Sequence, residues 1–283
     1  RPYLKDHSIN GQAVLPAGEA MEALAQAAKR VRPSTDVFAM GSAAFDKFLV
    51  IDTAREHLAA QADITVDGNG TVRAALTTKT QSKHGVMARV KTHAVLTLPR
   101  QADALPDYPL DMAAAPEGAC FSIQGDRIYP DLVAFGPSYR NVIAVHLSRS
   151  GAVAEIRNPV VGAANSHLLG SPFALDASFH AACAWGQRFA GIVAFPVAVD
   201  ERRIYAPTLP GERYFIHVLP VRADPSMLVF DLRIYDREGG LHEACSGVRM
   251  RDVSGGKMRP PEWILPAAPA GAIAVVAASS LVP

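Results

Sequence analysis

Residues 17–31 carry apolar side chains at Ala20, Leu24, Ala27, Ala28 and Val31, spacings of three and four that mark one face of an amphipathic helix. That face is expected to be buried. The pattern then changes to partial alternation over 36–52, 56–66, 71–81 and 86–98, with the turn sequences DGNG at 67–70 and KHG at 83–85 between the last three segments. One helix followed by an antiparallel meander accounts for this half.

The second half repeats the order. Residues 173–190 have a helical period, and 192–199, 203–207, 213–221, 227–236 and 242–253 read as strands broken by DE, PGE, DP and REGG. Ahead of that helix, 142–158 reads as a hairpin turning at Ser150 and Gly151. The expected division is an N-terminal unit 1–98, a proline- and alanine-biased linker 99–118, a C-terminal unit 119–265, and an alanine-rich, nearly uncharged tail 266–283 that is a linker or an appended sequence. The two halves read as a duplication without obvious identity, in the α+β class.

Composition narrows the function. With 28 basic and 27 acidic residues and a formal net charge of +1, there is no block of like charge and no basic stripe interleaved with aromatics, which excludes nucleic acid as an expected partner. No apolar run approaches the ~20 residues needed to span a bilayer, and the opening RPYLKDH lacks the apolar core of a signal peptide. A soluble, cytoplasmic protein without membrane association is expected. Cys120, Cys183 and Cys245 are widely separated and have no CxxC spacing, so they are expected to be unpaired buried thiols rather than zinc or redox ligands.

Two short motifs in opposite halves carry candidate chemistry, His7-x3-Gly11-x4-Pro16 and Asp176-x3-His180. A histidine near neutral pKa suits a general base, and a carboxyl kept protonated by an apolar, partly dry environment suits a general acid. Gly11 permits close backbone approach, while Pro16 fixes the chain where it enters the first helix and where an N–H would go unpaired. Asp176 is expected in the first turn of the second helix, with His180 one turn later on the same face, in an orienting or purely structural role. His84, His93, His146, His167, His217 and His242 are scattered without ligand spacing and receive no function, and no metal site is expected.

The stretches HSINGQAVLP (7–16), FGPSYRNV (135–142), LDASFHAACAW (175–185) and FPVAVDERRIY (195–205) stand in an order that resembles the dehydratase domains of polyketide synthases and of related polyunsaturated fatty acid synthases. The LPAGEAMEALAQAA helix is more similar to the second group. The resemblance implies a double hotdog, in which a curled antiparallel sheet wraps a central helix twice, with an apolar tunnel between the helices. It implies dehydration of a 3-hydroxyacyl thioester to the 2-enoyl thioester, with His7 as base, Asp176 as acid, His180 holding the aspartate and the Gly11 N–H binding the thioester carbonyl. No cofactor is implied beyond the phosphopantetheine arm that an acyl carrier protein brings with the substrate. Neighbouring synthase domains are the other expected partners, and both a monomer and a homodimer are compatible, because the duplication already supplies both halves of a site.

The start only six residues before His7 fits a piece of a longer protein, with part of the first sheet missing or differently built. Two departures from the family stand out. Phe135 occupies a position where tyrosine is usual, so Tyr139 or Tyr129 is expected to substitute for its hydroxyl, or the site works without it. Ser171 precedes Pro172 where histidine is common. The rival readings on the same fold are a double-bond isomerase, a product-template cyclase and a non-catalytic module that binds carrier protein.

Overall fold

The structure, a computed structural model, describes residues 1–54, 58–81, 88–100, 120–161 and 167–266. The chain opens with a 3-10 turn (Pro2–Asp6) and a small hairpin, β1 (Ser8–Ile9) and β2 (Gln12–Ala13), and then forms helix α1 (Ala17–Val31). Strands β3 (Ala39–Met40), β4 (Ser42–Ala44), β5 (Gln61–Val66), β6 (Val72–Gln81) and β7 (Ala88–Leu98) complete the first half. The second half contains β8 (Phe121–Gln124), a short helix α2 (Gly125–Asp131), the hairpin β9 (Val142–Ser148) and β10 (Gly151–Arg157), and helix α3 (Pro172–Ala190). Strands β11 (Phe195–Val199), β12 (Glu201–Ile204), β13 (Arg213–Asp224), β14 (Met227–Tyr235) and β15 (Leu241–Arg251) follow.

The pairings are antiparallel, and the strands run β5-β6-β7-β4-β11-β15-β14-β13-β10-β9-β8 in one continuous sheet, with β12 bridging β15 and β3. The halves meet where Ala198 and Val199 of β11 pair with Ala44 and Ala43 of β4. Helix α1 packs on β5, β6 and β7, and α3 packs on β9, β10, β13 and β14. A sheet curled twice around a helix is the expected double hotdog. The second seam is polar, because Arg202 of β12 holds Glu243 of β15 through two bonds of 2.8 and 3.0 Å and reaches to 3.9 Å from the sulfur of Met21 on α1.

Pro16 stands at the start of α1, where its carbonyl accepts the Ala20 N–H at 3.0 Å and its missing N–H costs nothing. The buried face of α1 includes Ala20, Leu24, Ala27 and Ala28 as expected, while Val31 at the end of the helix is exposed. Helix α3 is buried continuously from Pro172 to Gln187, the behaviour of a helix apolar on nearly all sides, and it ends at Gly191 in the left-handed conformation. The two helices approach closely near their N-termini, since a side chain at Gly18 would begin 3.3 Å from the Pro172 carbonyl oxygen.

Several elements differ from the pattern reading. Within 36–52 the strands stop at Ala44, and residues 45–51 form a strap held by Leu15 N–H to Leu49 O and Ile51 N–H to Ala13 O, at 2.9 and 2.8 Å. The segment read as a strand at 203–207 is β12 at 201–204. Neither β8 nor α2 was legible, being too short for a periodic signal. Cys183 and Cys245 are buried as expected, whereas Cys120 is exposed. The KHG turn, most of the linker and most of the tail lie outside the described residues. Among the described residues no helix is long and apolar enough to cross a membrane.

Candidate active site

His7 follows the first 3-10 turn and precedes the β1–β2 hairpin, whose two-residue turn places Asn10 at φ 51° and Gly11 at φ 75°. The hairpin returns the chain so that Val14 donates its N–H to the His7 carbonyl at 2.9 Å and accepts from His7 Nδ1 at 3.0 Å. A carbonyl only accepts, so Nδ1 carries the proton. In the neutral ring Nε2 is then left with its lone pair, the form a base requires.

Nε2 of His7 lies 3.5 Å from Oδ1 of Asp176. Asp176 is the fifth residue of α3 rather than a first-turn residue, because the helix begins at Pro172, and its side chain is buried against the opposite half of the fold. His180, one turn on, brings Nε2 to 2.9 Å from the other carboxylate oxygen, although the approach is poorly aligned for a hydrogen bond and the contact is chiefly electrostatic. On its far side, His180 Nδ1 is 2.9 Å from the Tyr129 hydroxyl.

Phe135 stacks on His7 with ring centroids 4.4 Å apart and stands 5.0 Å from the His180 ring. Tyr139 meets the edge of His7 at 5.0 Å, but its buried hydroxyl has no hydrogen-bond partner among the described residues. Of the two tyrosines weighed as substitutes for the family's hydroxyl, it is therefore Tyr129, and not Tyr139, that bonds to the Asp176–His180 pair. Tyr139 packs.

Burial pushes the Asp176 carboxyl up, but charge on His180 and then on His7 pulls harder in sum and holds it below the usual carboxylate range. The expectation of a carboxyl kept protonated by apolar surroundings is thus met only by the burial itself. Whenever both histidines are charged, Asp176 is a carboxylate.

His7, Asp176, His180 and Phe135 form one wall of an apolar cavity of about 60 Å³, lined elsewhere by residues that include Leu15, Leu76, Phe48, Phe179, Phe195 and Met250. Gly11 does not line it. It sits exposed at the hairpin tip beside a separate surface depression, so its positive φ serves the turn, and the expected contact of its N–H with a substrate carbonyl has no support here. Pro16 acts through the backbone, as expected. Ser171 immediately precedes α3, makes no capping hydrogen bond through its side chain and does not line the cavity.

His93, to which the sequence assigned no function, does line the cavity. The register between β6 and β7 shifts at Leu76 and Thr77, so His93 and Ala94 both turn inward, an irregularity that alternation does not reveal. His93 Nδ1 faces the Lys47 and Phe48 carbonyls, each at 3.2 Å, and Nε2 meets the Thr78 hydroxyl at 2.8 Å, which ties the 45–51 strap to the sheet. Of the remaining histidines, His84 lies outside the described residues, and His167 and His242 pair with Glu19 and Asp236 away from the cavity. Among the described residues no cluster of three His, Cys, Asp or Glu side chains is arranged to hold a metal ion.

Comparison with known proteins bears on the site. The model of the polyketide synthase dehydratase N-terminal domain matches residues 115–260, which include Phe135, Asp176 and His180. No curated protein sequence matches. Among solved structures, a dehydratase domain of a mycocerosic acid synthase-like polyketide synthase is similar with TM-score 0.72 and 21% identity, over 91% of this chain and 88% of that one. The bifunctional dehydratase-cyclase domain in ambruticin biosynthesis gives 0.68 and 22%, over 88% and 86%. A trans-AT dehydratase domain from Brevibacillus brevis gives 0.69 and 18%, over 88% and 89%. At such identities the structural likenesses establish the fold.

Proposed function

We propose that this chain, which belongs to the polyketide synthase dehydratase family, eliminates water from a 3-hydroxyacyl thioester carried on an acyl carrier protein and leaves the 2-enoyl thioester. The observation that carries the reading is the approach of His7 Nε2 to Asp176 Oδ1, 3.5 Å apart on the wall of one apolar cavity although the residues come from opposite halves of the chain. Proton removal from the carbon next to a thioester carbonyl needs a base, and hydroxide leaves only when protonated. His7, its Nδ1–H fixed on Val14, takes the α-proton at Nε2. The electron pair released forms the double bond as the β-hydroxyl, protonated from Asp176, departs as water. The short separation then lets the proton on His7 return to Asp176 and reset the pair.

The protonation states are mutually consistent. A neutral His7, the form competent as base, removes one of the two charges that draw the Asp176 proton off, and the acid form requires the larger one, on His180, to be absent as well. Each positioned group is expected to contribute about 10²- to 10⁴-fold. The largely apolar lining suits an acyl chain delivered by the phosphopantetheine arm. In this reading the domain is one cytoplasmic station of a multidomain synthase, and its partners are the carrier protein and neighbouring domains.

A non-catalytic module that binds carrier protein is the second reading, favoured by Phe135 in place of the usual tyrosine. Incubation of the purified protein with short- and long-chain 3-hydroxyacyl carrier-protein thioesters, followed by mass spectrometry, separates the two. Loss of water supports the dehydratase. A folded protein that converts none of them supports the module.

A further inference from the structure

Tyr129 touches His180 from behind, outside the cavity wall. It lies within α2 yet adopts φ −111° and ψ 95°, because Pro130 follows it and clashes with a helical conformation in the residue before it. Its side chain is buried, with the hydroxyl 2.9 Å from His180 Nδ1 and the ring edge-on to the imidazole at 5.6 Å. The Val142 N–H donates to the same oxygen at 3.2 Å. A phenol has one proton to give, and an amide N–H cannot take it. His180 Nδ1 can.

We propose that Tyr129 is a positioning residue: by donating its hydroxyl proton to His180 Nδ1, it holds His180 as the neutral Nε2–H tautomer beside Asp176. The kinetic consequence rests on the dehydratase reading; the tautomer does not. An imidazolium needs a proton on Nδ1, and the Tyr129 O–H opposes it there. Burial keeps the phenol protonated throughout the neutral range.

The groups that act on Asp176 are His7 from the N-terminal segment, His180 from its own helix, and the phenols of Tyr129 and Tyr139, with Arg140 acting on Tyr129. Burial raises the Asp176 pKa, and charge on His180 is the largest influence against it. Removing that charge, with His7 neutral as base, lets burial keep the proton on Asp176 for the leaving hydroxyl. Phe135 has no donor to offer His180, and the Tyr139 hydroxyl is not bonded to it, so this task falls to Tyr129.

Nitrogen-15 NMR of the histidine-labelled protein, with the His180 signals assigned through His180→Gln, reads the tautomer without any substrate. The expected result is an unprotonated Nδ1 and a protonated Nε2; a neutral His180 with its proton on Nδ1, or an imidazolium at neutral pH, overturns the proposal. In folded Tyr129→Phe the His180 signals are expected to move toward the charged form. In the same variant kcat falls by about tenfold at unchanged KM, a fraction of what a positioned acid contributes, and the high-pH limb of the kcat profile moves to lower pH. Tyr129→Phe with unaltered His180 signals and an unaltered limb also overturns it. If the unsubstituted protein turns over no substrate, the dehydratase reading fails while the NMR result still decides the role of Tyr129.

Discussion

The imidazole of His7 lies on the ring of Phe135, centroids 4.4 Å apart and planes inclined by 30°, so Phe135 supports His7 by packing. The Val14 carbonyl fixes which way His7 points, and Phe135 fixes the plane it rotates in. Phe135 is buried, and Phe135→Ala is expected to cost about 3–5 kcal/mol in urea unfolding and to lower the rate of dehydration at fixed substrate binding. Phe135→Tyr keeps the ring and should keep most of both. An alanine variant with normal stability and rate would show that His7 does not need this wall.

Tyr139 and Tyr129 make opposite predictions. The Tyr139 hydroxyl is buried without a protein partner, so Tyr139→Phe removes an unsatisfied group and is expected to leave stability unchanged or raise it by about 1 kcal/mol, with dehydration unaffected. Thermal unfolding and a single substrate assay check this. A rate loss in Tyr139→Phe as large as that in Tyr129→Phe would contradict the assignment of the hydroxyl's task to Tyr129.

His93 gives the fold a pH dependence. Its burial lowers the imidazole pKa, the Lys47 and Phe48 carbonyls oppose the shift, and the Lys91 and Lys47 charges reinforce it. The unfolded chain therefore takes up the proton near the ordinary value of about 6.5, whereas the folded chain takes it up only at lower pH. Stability is accordingly complete above that value and declines as pH falls from it toward the folded-state pKa. Urea unfolding of the native protein and of His93→Gln across pH 7.5 to 5 should show the variant less stable but flatter; parallel curves would remove His93 as the cause.

Much of this was legible in the sequence. Helix α1 begins and ends where the spacing of Ala20, Leu24, Ala27 and Ala28 and the position of Pro16 place it, and the hairpin at Ser150 and Gly151 follows from its turn residues. The pairing of His7 with Asp176 was legible through the family motifs, since no local periodicity reports a contact between the two halves. Three features of the site were not. Asp176 lies just past the first turn because the helix starts at Pro172, one residue earlier than expected, Gly11 is turned outward by the hairpin it forms, and His93 is turned inward by a register shift. Each depends on backbone geometry that hydrophobic patterning does not encode. Tyr129 did carry a signal, the proline that follows it, but only the fold shows what the resulting break points toward.

The central claim is that His7 and Asp176 act as one base and acid pair on one substrate, and the rates of His7→Ala, Asp176→Asn and the double variant test it most directly. Each single change is expected to lower dehydration by about 10²- to 10⁴-fold in a protein that still folds, and the double variant to be little worse than the poorer single, as for residues that work as a unit. A single variant that retains near-normal turnover, or losses that multiply in the double variant, would contradict it.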